Sequence, residues 1–266
     1  MIVANKVSPF VLSAALLVTL ALERAQAGAF LLEPGKWQVI NTLRVSGSRL
    51  KFDGSGRLNP EPFYGKVEGS SLIEYGFNRD LTVMLMPMGR YVTKDGPPFA
   101  EAWAIGSLDV GARWRVQDFG RSTVSFQGLF RVPTRSAPDF LPENRARGEL
   151  RLALGRSGMG FLGRDGFADL SVAWVKRDDP WRDELHVDLT YGWWQWSNQL
   201  LLIQMFQTFY RTAPGEARAP TQTKVETSTV TKIGRGWSLQ LGSFASIGGV
   251  ATRFERGTIV GLWRQF

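Results

Sequence analysis

At 266 residues the chain has room for one large domain or two small ones, and no shift of composition marks a second. Hydrophobic residues make up 44%, aromatic residues 12% and charged residues 21%, with 29 glycines and 10 tryptophans, which excludes a disordered or fibrous chain. No cysteine and a single histidine exclude disulfides, thiolate metal centres and histidine-rich sites, and the formal charge of +8 comes with no basic run able to grip nucleic acid.

The first segment, Met1 to Ala27, reads as a signal peptide. Lys6 precedes an apolar run, Phe10 to Leu22, and Ala25-Gln26-Ala27 is a small-x-small cleavage site. The run holds about 13 residues, and a helix of that length reaches only about 20 Å, short of the roughly 30 Å hydrocarbon core. Cleavage behind Ala27 removes Lys6, Arg24 and Glu23, so the basicity belongs to residues 28–266. Beyond the leader no apolar stretch suits a spanning helix; Leu200 to Phe206, the best candidate, is interrupted by Gln204. If this part enters a membrane it does so as strands, and strands satisfy their backbone in lipid only as a closed barrel.

From Gly28 onward, runs of alternating polarity are separated by turn residues. Trp37 to Val45, Glu68 to Phe77 and Leu81 to Tyr91 keep the alternation loosely. It then becomes strict: Leu108, Val110, Ala112, Trp114 and Val116 oppose Asp109, Gly111, Arg113, Arg115 and Gln117. Val124, Phe126, Phe130 and Val132 oppose Ser125, Gln127 and Arg131; Leu150, Leu152 and Leu154 oppose Glu149 and Arg151. Leu170, Val172 and Trp174 oppose Asp169, Ser171 and Ala173, and Leu185, Val187, Leu189, Tyr191 and Trp193 oppose His186, Asp188, Thr190 and Trp194. Leu200 to Tyr210, Thr223 to Ile233, Trp237 to Ile247 and Thr252 to Phe266 complete the series. The sum is about twelve strands, the even number that an up-and-down barrel needs if both chain ends lie on one side. The expected fold is therefore all-β: a transmembrane antiparallel barrel over residues 28–266. A mean hydropathy of -0.12 is compatible with it, because lipid-facing and lumen-facing residues average out.

Connections alternate as well. Asp53 to Lys66, Thr93 to Phe99, Pro133 to Arg147, Lys176 to Asp183 and Arg211 to Thr221 are long; Asn78 to Asp80, Asp118 to Arg121, Gln195 to Asn198 and Gly234 to Gly236 are tight. That rhythm puts loops outside the cell and turns in the periplasm. Gly155 to Gly166 and Ser246 to Gly249 break it. Trp37, Tyr91, Trp174, Trp193, Trp196, Tyr210, Trp237 and Trp263 are candidates for interfacial girdles.

The final strand ends on Phe266 and resembles the signal by which outer-membrane barrels are recognised for assembly, with Gly261, Leu262 and Phe266 in suitable places and Arg264 as a departure. In order along the chain, Gly35-Lys-Trp-Gln-Val-Ile40, Glu74-Tyr-Gly-Phe-Asn-Arg-Asp-Leu-Thr82, Gln127-Gly-Leu-Phe-Arg-Val-Pro133, Leu154-Gly-Arg-Ser157, Asp183-Glu-Leu-His-Val-Asp-Leu-Thr-Tyr-Gly192, Trp237-Ser-Leu-Gln-Leu-Gly242 and the closing strand resemble the barrels associated with the meta-cleavage pathway of phenol degradation, described as outer-membrane transporters. The resemblance covers nearly all of residues 28–266. It implies the bacterial outer membrane, its lipid and the barrel assembly machinery as partners, and a small-molecule solute; it brings no catalytic residue and no cofactor.

An outer-membrane lipid hydrolase is the rival class. It needs a base beside a hydroxyl nucleophile. The lone His186 sits in His186-Val187-Asp188, without a His-x-Ser arrangement, and on the wet face, whereas lipid lies outside. Gly155-Arg-Ser-Gly-Met-Gly160 lacks the lysine and helix of a phosphate loop. No catalytic or metal residue is assigned. The informative surface is the lumen, where Asp109, Arg113, Arg115, Arg131, Glu149, Arg151, Asp169, His186 and Asp188 are expected to point inward. Twelve strands fall between filled eight-stranded barrels and open sixteen-stranded ones. The leading expectation is a narrow passive route for small organic solutes, with the arginines favouring anionic or aromatic ones; a non-conducting structural or partner-binding barrel is the alternative.

Overall fold

A computed structural model describes residues 28–95, 100–133, 145–178, 182–212 and 218–266. The leader expected over Met1–Ala27 lies outside the described residues, as does most of the loop Pro133 to Arg147.

The alternating runs become strands β1 (Trp37–Phe52), β2 (Leu58–Asn78), β3 (Leu81–Lys94), β4 (Ala100–Phe119), β5 (Ser122–Val132), β6 (Arg147–Ser157), β7 (Gly166–Arg177), β8 (Glu184–Trp196), β9 (Gln199–Tyr210), β10 (Thr221–Gly234), β11 (Trp237–Val250) and β12 (Arg256–Gln265). Each pairs antiparallel with its sequence neighbours, and β1 closes the barrel against β12 with Leu43 opposite Val260. At the seam the Trp37 and Phe266 backbones bond reciprocally, the Phe266 N–H donating to the Trp37 carbonyl at 3.0 Å. Closure leaves no edge whose polar backbone would face lipid.

Alternation then sorts the side chains. Leu43, Leu85, Trp114, Phe126, Leu152, Val172, Leu189, Ile203, Leu241 and Val260 point outward and stay exposed, forming the apolar belt that lipid covers. Asp109, Arg131, Glu149, Asp169, Glu226 and Gln240 alternate with them and are buried inside. A soluble protein would be turned the other way.

The strands outrun the expected segments at the long-loop end, most of all in β2, which starts at Leu58 rather than Glu68. There Lys51 pairs with Asn59 and Ser48 with Tyr64, so the first long connection shrinks to Asp53–Arg57. Asp53 knots it, accepting bonds from the Ser55 and Arg57 amides at 2.8 and 2.9 Å. Above the hydrocarbon a ladder needs no apolar face, which is why alternation misses these residues. The two connections that break the long/short rhythm keep their irregular lengths. Residues 158–165 do form a long turn-end connection, with Phe161 placed against outward-facing Trp193 at 6.2 Å. Strand β11 runs on to Val250, which moves its connection to Ala251–Glu255. Two girdle candidates face inward instead: Tyr210 lines the lumen, and Trp263 packs on a buried apolar cluster and donates to Gln240 Oε1 at 3.1 Å. Arg264 faces outward at the rim, its guanidinium 5.1 Å from the Trp237 ring centre and 4.7 Å from that of Phe266. An arginine at the interface is thereby accommodated.

Leu152, 56% exposed in the belt, gives a test of the membrane embedding. Leu152→Arg should cost about 2–4 kcal/mol in urea titrations of the vesicle-embedded barrel. An unchanged transition midpoint would mean that the belt does not sit in hydrocarbon.

Candidate functional site: a lumen closed at one end

Three layers fill the lumen. At the turn end, residues 28–33 run inside the wall before the chain enters β1. Ala29, Phe30, Leu31 and Leu32 are all buried. Phe30 meets Phe167 edge-on at 6.3 Å and joins Leu200, Leu202 and Val230 in an apolar cluster backed by Trp194 and Trp263. Wall side chains hold the backbone of this strap: the Asp169 carboxylate accepts from the Ala29 N–H at 2.6 Å, Arg113 donates to the Phe30 carbonyl at 2.8 Å, and Thr82 Oγ1 accepts from the Leu32 N–H at 3.1 Å. Room comes from two inward glycines. A Cβ on Gly76 would fall 2.1 Å from the Glu33 carbonyl oxygen, and one on Gly155 would fall 2.8 Å from the Phe30 ring.

The middle layer is an ion-pair ladder. Asp109, fully buried, takes Arg131 Nε at 2.6 Å and Arg147 at 2.8 Å. Arg151 spans Glu149 at 3.0 Å and Asp188 at 2.6 Å, and donates to Ser171 at 2.6 Å. Arg113 joins Glu74 at 3.2 Å and Gln127 at 3.0 Å besides its bond to the strap.

Above, at the long-loop end, opens a vestibule of about 840 Å³. Lys51, Lys66, Arg90, Arg177, Arg182, Lys224 and Arg253 line it, against Glu61, Glu184, Asp188 and Glu255, so cations prevail among the described residues. Tyr64, Phe206 and Tyr210 add aromatic surface. Glu255 ties its wall together, contacting Lys224, Lys66 at 2.7 Å and the Ser46 hydroxyl at 2.6 Å. Burial pushes its carboxyl up, but the two ammonium groups outweigh burial and hold it well below the usual range.

The expected lumen residues thus divide. Asp109, Arg113, Arg131, Glu149, Arg151, Asp169, His186 and Asp188 lie on inward faces of β4 to β8. Arg115 sits apart, beside a bulge at the turn end of β4, paired with Asp118 at 2.6 Å and Asp80 at 3.9 Å. His186 hydrogen-bonds Glu184 at 2.7 Å, while nearby Asp188 is taken by Arg151. The strap and the Glu255 cluster escape sequence reasoning, because neither shows a period. Of the closing strand, Gly261 faces inward against Gln240, Leu262 faces lipid and Phe266 is exposed at the rim.

No family model matches the sequence, and no curated protein matches it. Among solved structures the fold is similar to an outer-membrane channel from Pseudomonas putida F1, at TM-score 0.72 and 14% identity, covering 92% of this chain and 100% of that one. It is also similar to the translocator domain of the autotransporter NalP from Neisseria meningitidis, at TM-score 0.55 and 12% identity over 88% and 90% of the two chains. The NanC porin follows at TM-score 0.52 and 9% identity, over 84% and 98%. At such identities the likeness is one of fold. Closed twelve-stranded fold and apolar belt together make the chain a membrane-spanning β-barrel with the fold of these outer-membrane proteins.

The Asp109 knot carries a prediction. Asp109→Ala leaves the buried Arg131 and the half-buried Arg147 without their shared carboxylate and should destabilise the barrel by roughly 3–5 kcal/mol in the same urea assay. A loss below about 1 kcal/mol would show that the ladder is hydrated and loose.

Proposed function

We propose that this outer-membrane barrel is a narrow passive channel for small anionic organic solutes, entered through the basic vestibule and shut at the turn end by the strap Gly28–Glu33. The observation that carries the reading is the strap. A structural barrel can fill its lumen with wall side chains, whereas here the lowest layer is a separate chain segment held by three side-chain hydrogen bonds and a small apolar cluster, outside the ladder of the wall. The vestibule supports the solute class. Its cationic surplus raises the local concentration of anions, and its aromatic rings offer flat apolar surface to organic ones.

The arginine ladder contributes less to selectivity than its residue types suggest. Arg131, Arg147 and Arg151 are neutralised by Asp109, Glu149 and Asp188. Discrimination falls instead to the vestibule, where Lys51 is exposed. In this reading Met1–Ala27 directs export, and the strand ending Gly261, Leu262 and Phe266 is read by the assembly machinery. The closed interior also favours a second reading, a non-conducting structural barrel.

Planar-bilayer recordings separate the two. The wild type should give small, infrequent steps with anion preference, and the triple variant Phe30→Ser, Leu31→Ser, Leu32→Ser should open several-fold more often, because its strap no longer gains from burial. Lys51→Glu should lower the anion-to-cation permeability ratio read from a salt gradient. Silence of both wild type and triple variant, with folding verified by heat-modifiable migration, would establish the structural barrel.

A further inference from the structure

We infer that Gly28 is the first residue of the working protein and that its α-ammonium is the counter-ion of the buried Asp169 carboxylate. Asp169 is 4% exposed and accepts a hydrogen bond at 2.6 Å from the Ala29 amide, a neutral donor. The neighbouring guanidiniums are committed elsewhere, Arg113 to Glu74 and Gln127, and Arg151 to Glu149 and Asp188. A buried carboxylate is costly unless a full positive charge meets it.

A further cation is available next door in the chain. A Cβ built on Gly28 would fall 2.3 Å from Asp169 Oδ1, 2.9 Å from its Cγ and 3.0 Å from Oδ2, so the Gly28 backbone lies against the carboxylate, which a larger residue would push aside. Gly28 also follows Ala25-Gln26-Ala27, the small-x-small pattern that a signal peptidase cuts. Hydrolysis there adds one water across the Ala27–Gly28 peptide bond; Ala27 leaves with a carboxylate, and Gly28 keeps the nitrogen, which takes up a proton as an ammonium. An amide N–H with a partial charge becomes a group with three donors and a full positive charge, placed against a buried anion. Processing therefore supplies the latch of the plug: the cut places a full positive charge at Gly28, beside Asp169, where the precursor has a neutral amide.

The test uses mature protein extracted from outer membranes. Intact mass should place the first residue at Gly28; any other start overturns the inference. An amine-acylating reagent then reports the Gly28 amine by peptide mass spectrometry as a function of pH. An unperturbed α-amine titrates near about 7.7–8.0. Pairing with Asp169 should slow native labelling at pH 7 more than ten-fold against denatured protein and move the native midpoint upward, whereas burial without pairing would move it downward. Asp169→Asn should restore rapid labelling while Asp169→Glu keeps the protection. Equal native and denatured rates, a lowered midpoint, or an Asp169→Asn variant as slow as wild type would each overturn it. The wild-type pH profile decides alone if the variants do not fold. Because conductance is not read, a silent channel leaves this inference standing, and a free amine leaves the channel reading standing.

Discussion

Hydrocarbon offers no hydrogen bonds, and the rest of this structure follows from that single constraint. Each backbone N–H and C=O in the membrane needs a partner within the chain. Twelve strands meet the demand only by closing, which β1 and β12 do with Leu43 opposite Val260. Closure in turn forces the polar half of each strand into one enclosed space. Asp109, Arg113, Arg131, Glu149 and Arg151 have no other place to go, and in so narrow a lumen they must satisfy one another. The ion-pair ladder is thus a consequence of the belt.

What the sequence reveals and what it hides divide along the same line. Wherever one face meets lipid and the other water, period-two alternation is enforced, so β4 to β8 can be read almost residue by residue. Above the membrane the enforcement lapses. Ladder pairing continues through Asn59 and Tyr64 with no apolar stripe to announce it. Faces are legible; the fate of a particular ring is less so. Tyr210 and Trp263 lie one position off the outward register, and a shift of one residue along a strand exchanges lipid for lumen. Arg115 shows the limit differently, because the bulge beside it ends the regular alternation of β4.

The strap was illegible for a stricter reason. Ala29-Phe-Leu-Leu32 is too short for a period, and its partners Thr82, Arg113, Asp169 and Gly155 are scattered over β3, β4, β7 and β6. Only the closed barrel brings them to one level. Gly76 and Gly155, unremarkable in the sequence, prove to be the clearance for a chain passing inside the wall.

On the channel reading proposed above, magnitudes explain how such a plug can work as a gate. Burying Phe30, Leu31 and Leu32 contributes roughly 5–9 kcal/mol at about 1.5–3 kcal/mol each. Fixing the backbone of residues 28–33 costs roughly 6–12 kcal/mol at about 1–2 kcal/mol per residue. These terms nearly cancel, so the apolar anchor alone leaves the strap close to balance between seated and released. The decision passes to the polar grips, where one charged hydrogen bond contributes roughly 1.5–3 kcal/mol. Arg113 on the Phe30 carbonyl is one such grip, and Asp169 at the head of the strap is the other. A plug built wholly from wall side chains would be permanent, whereas in that reading one poised on two or three polar contacts responds to whatever competes for them.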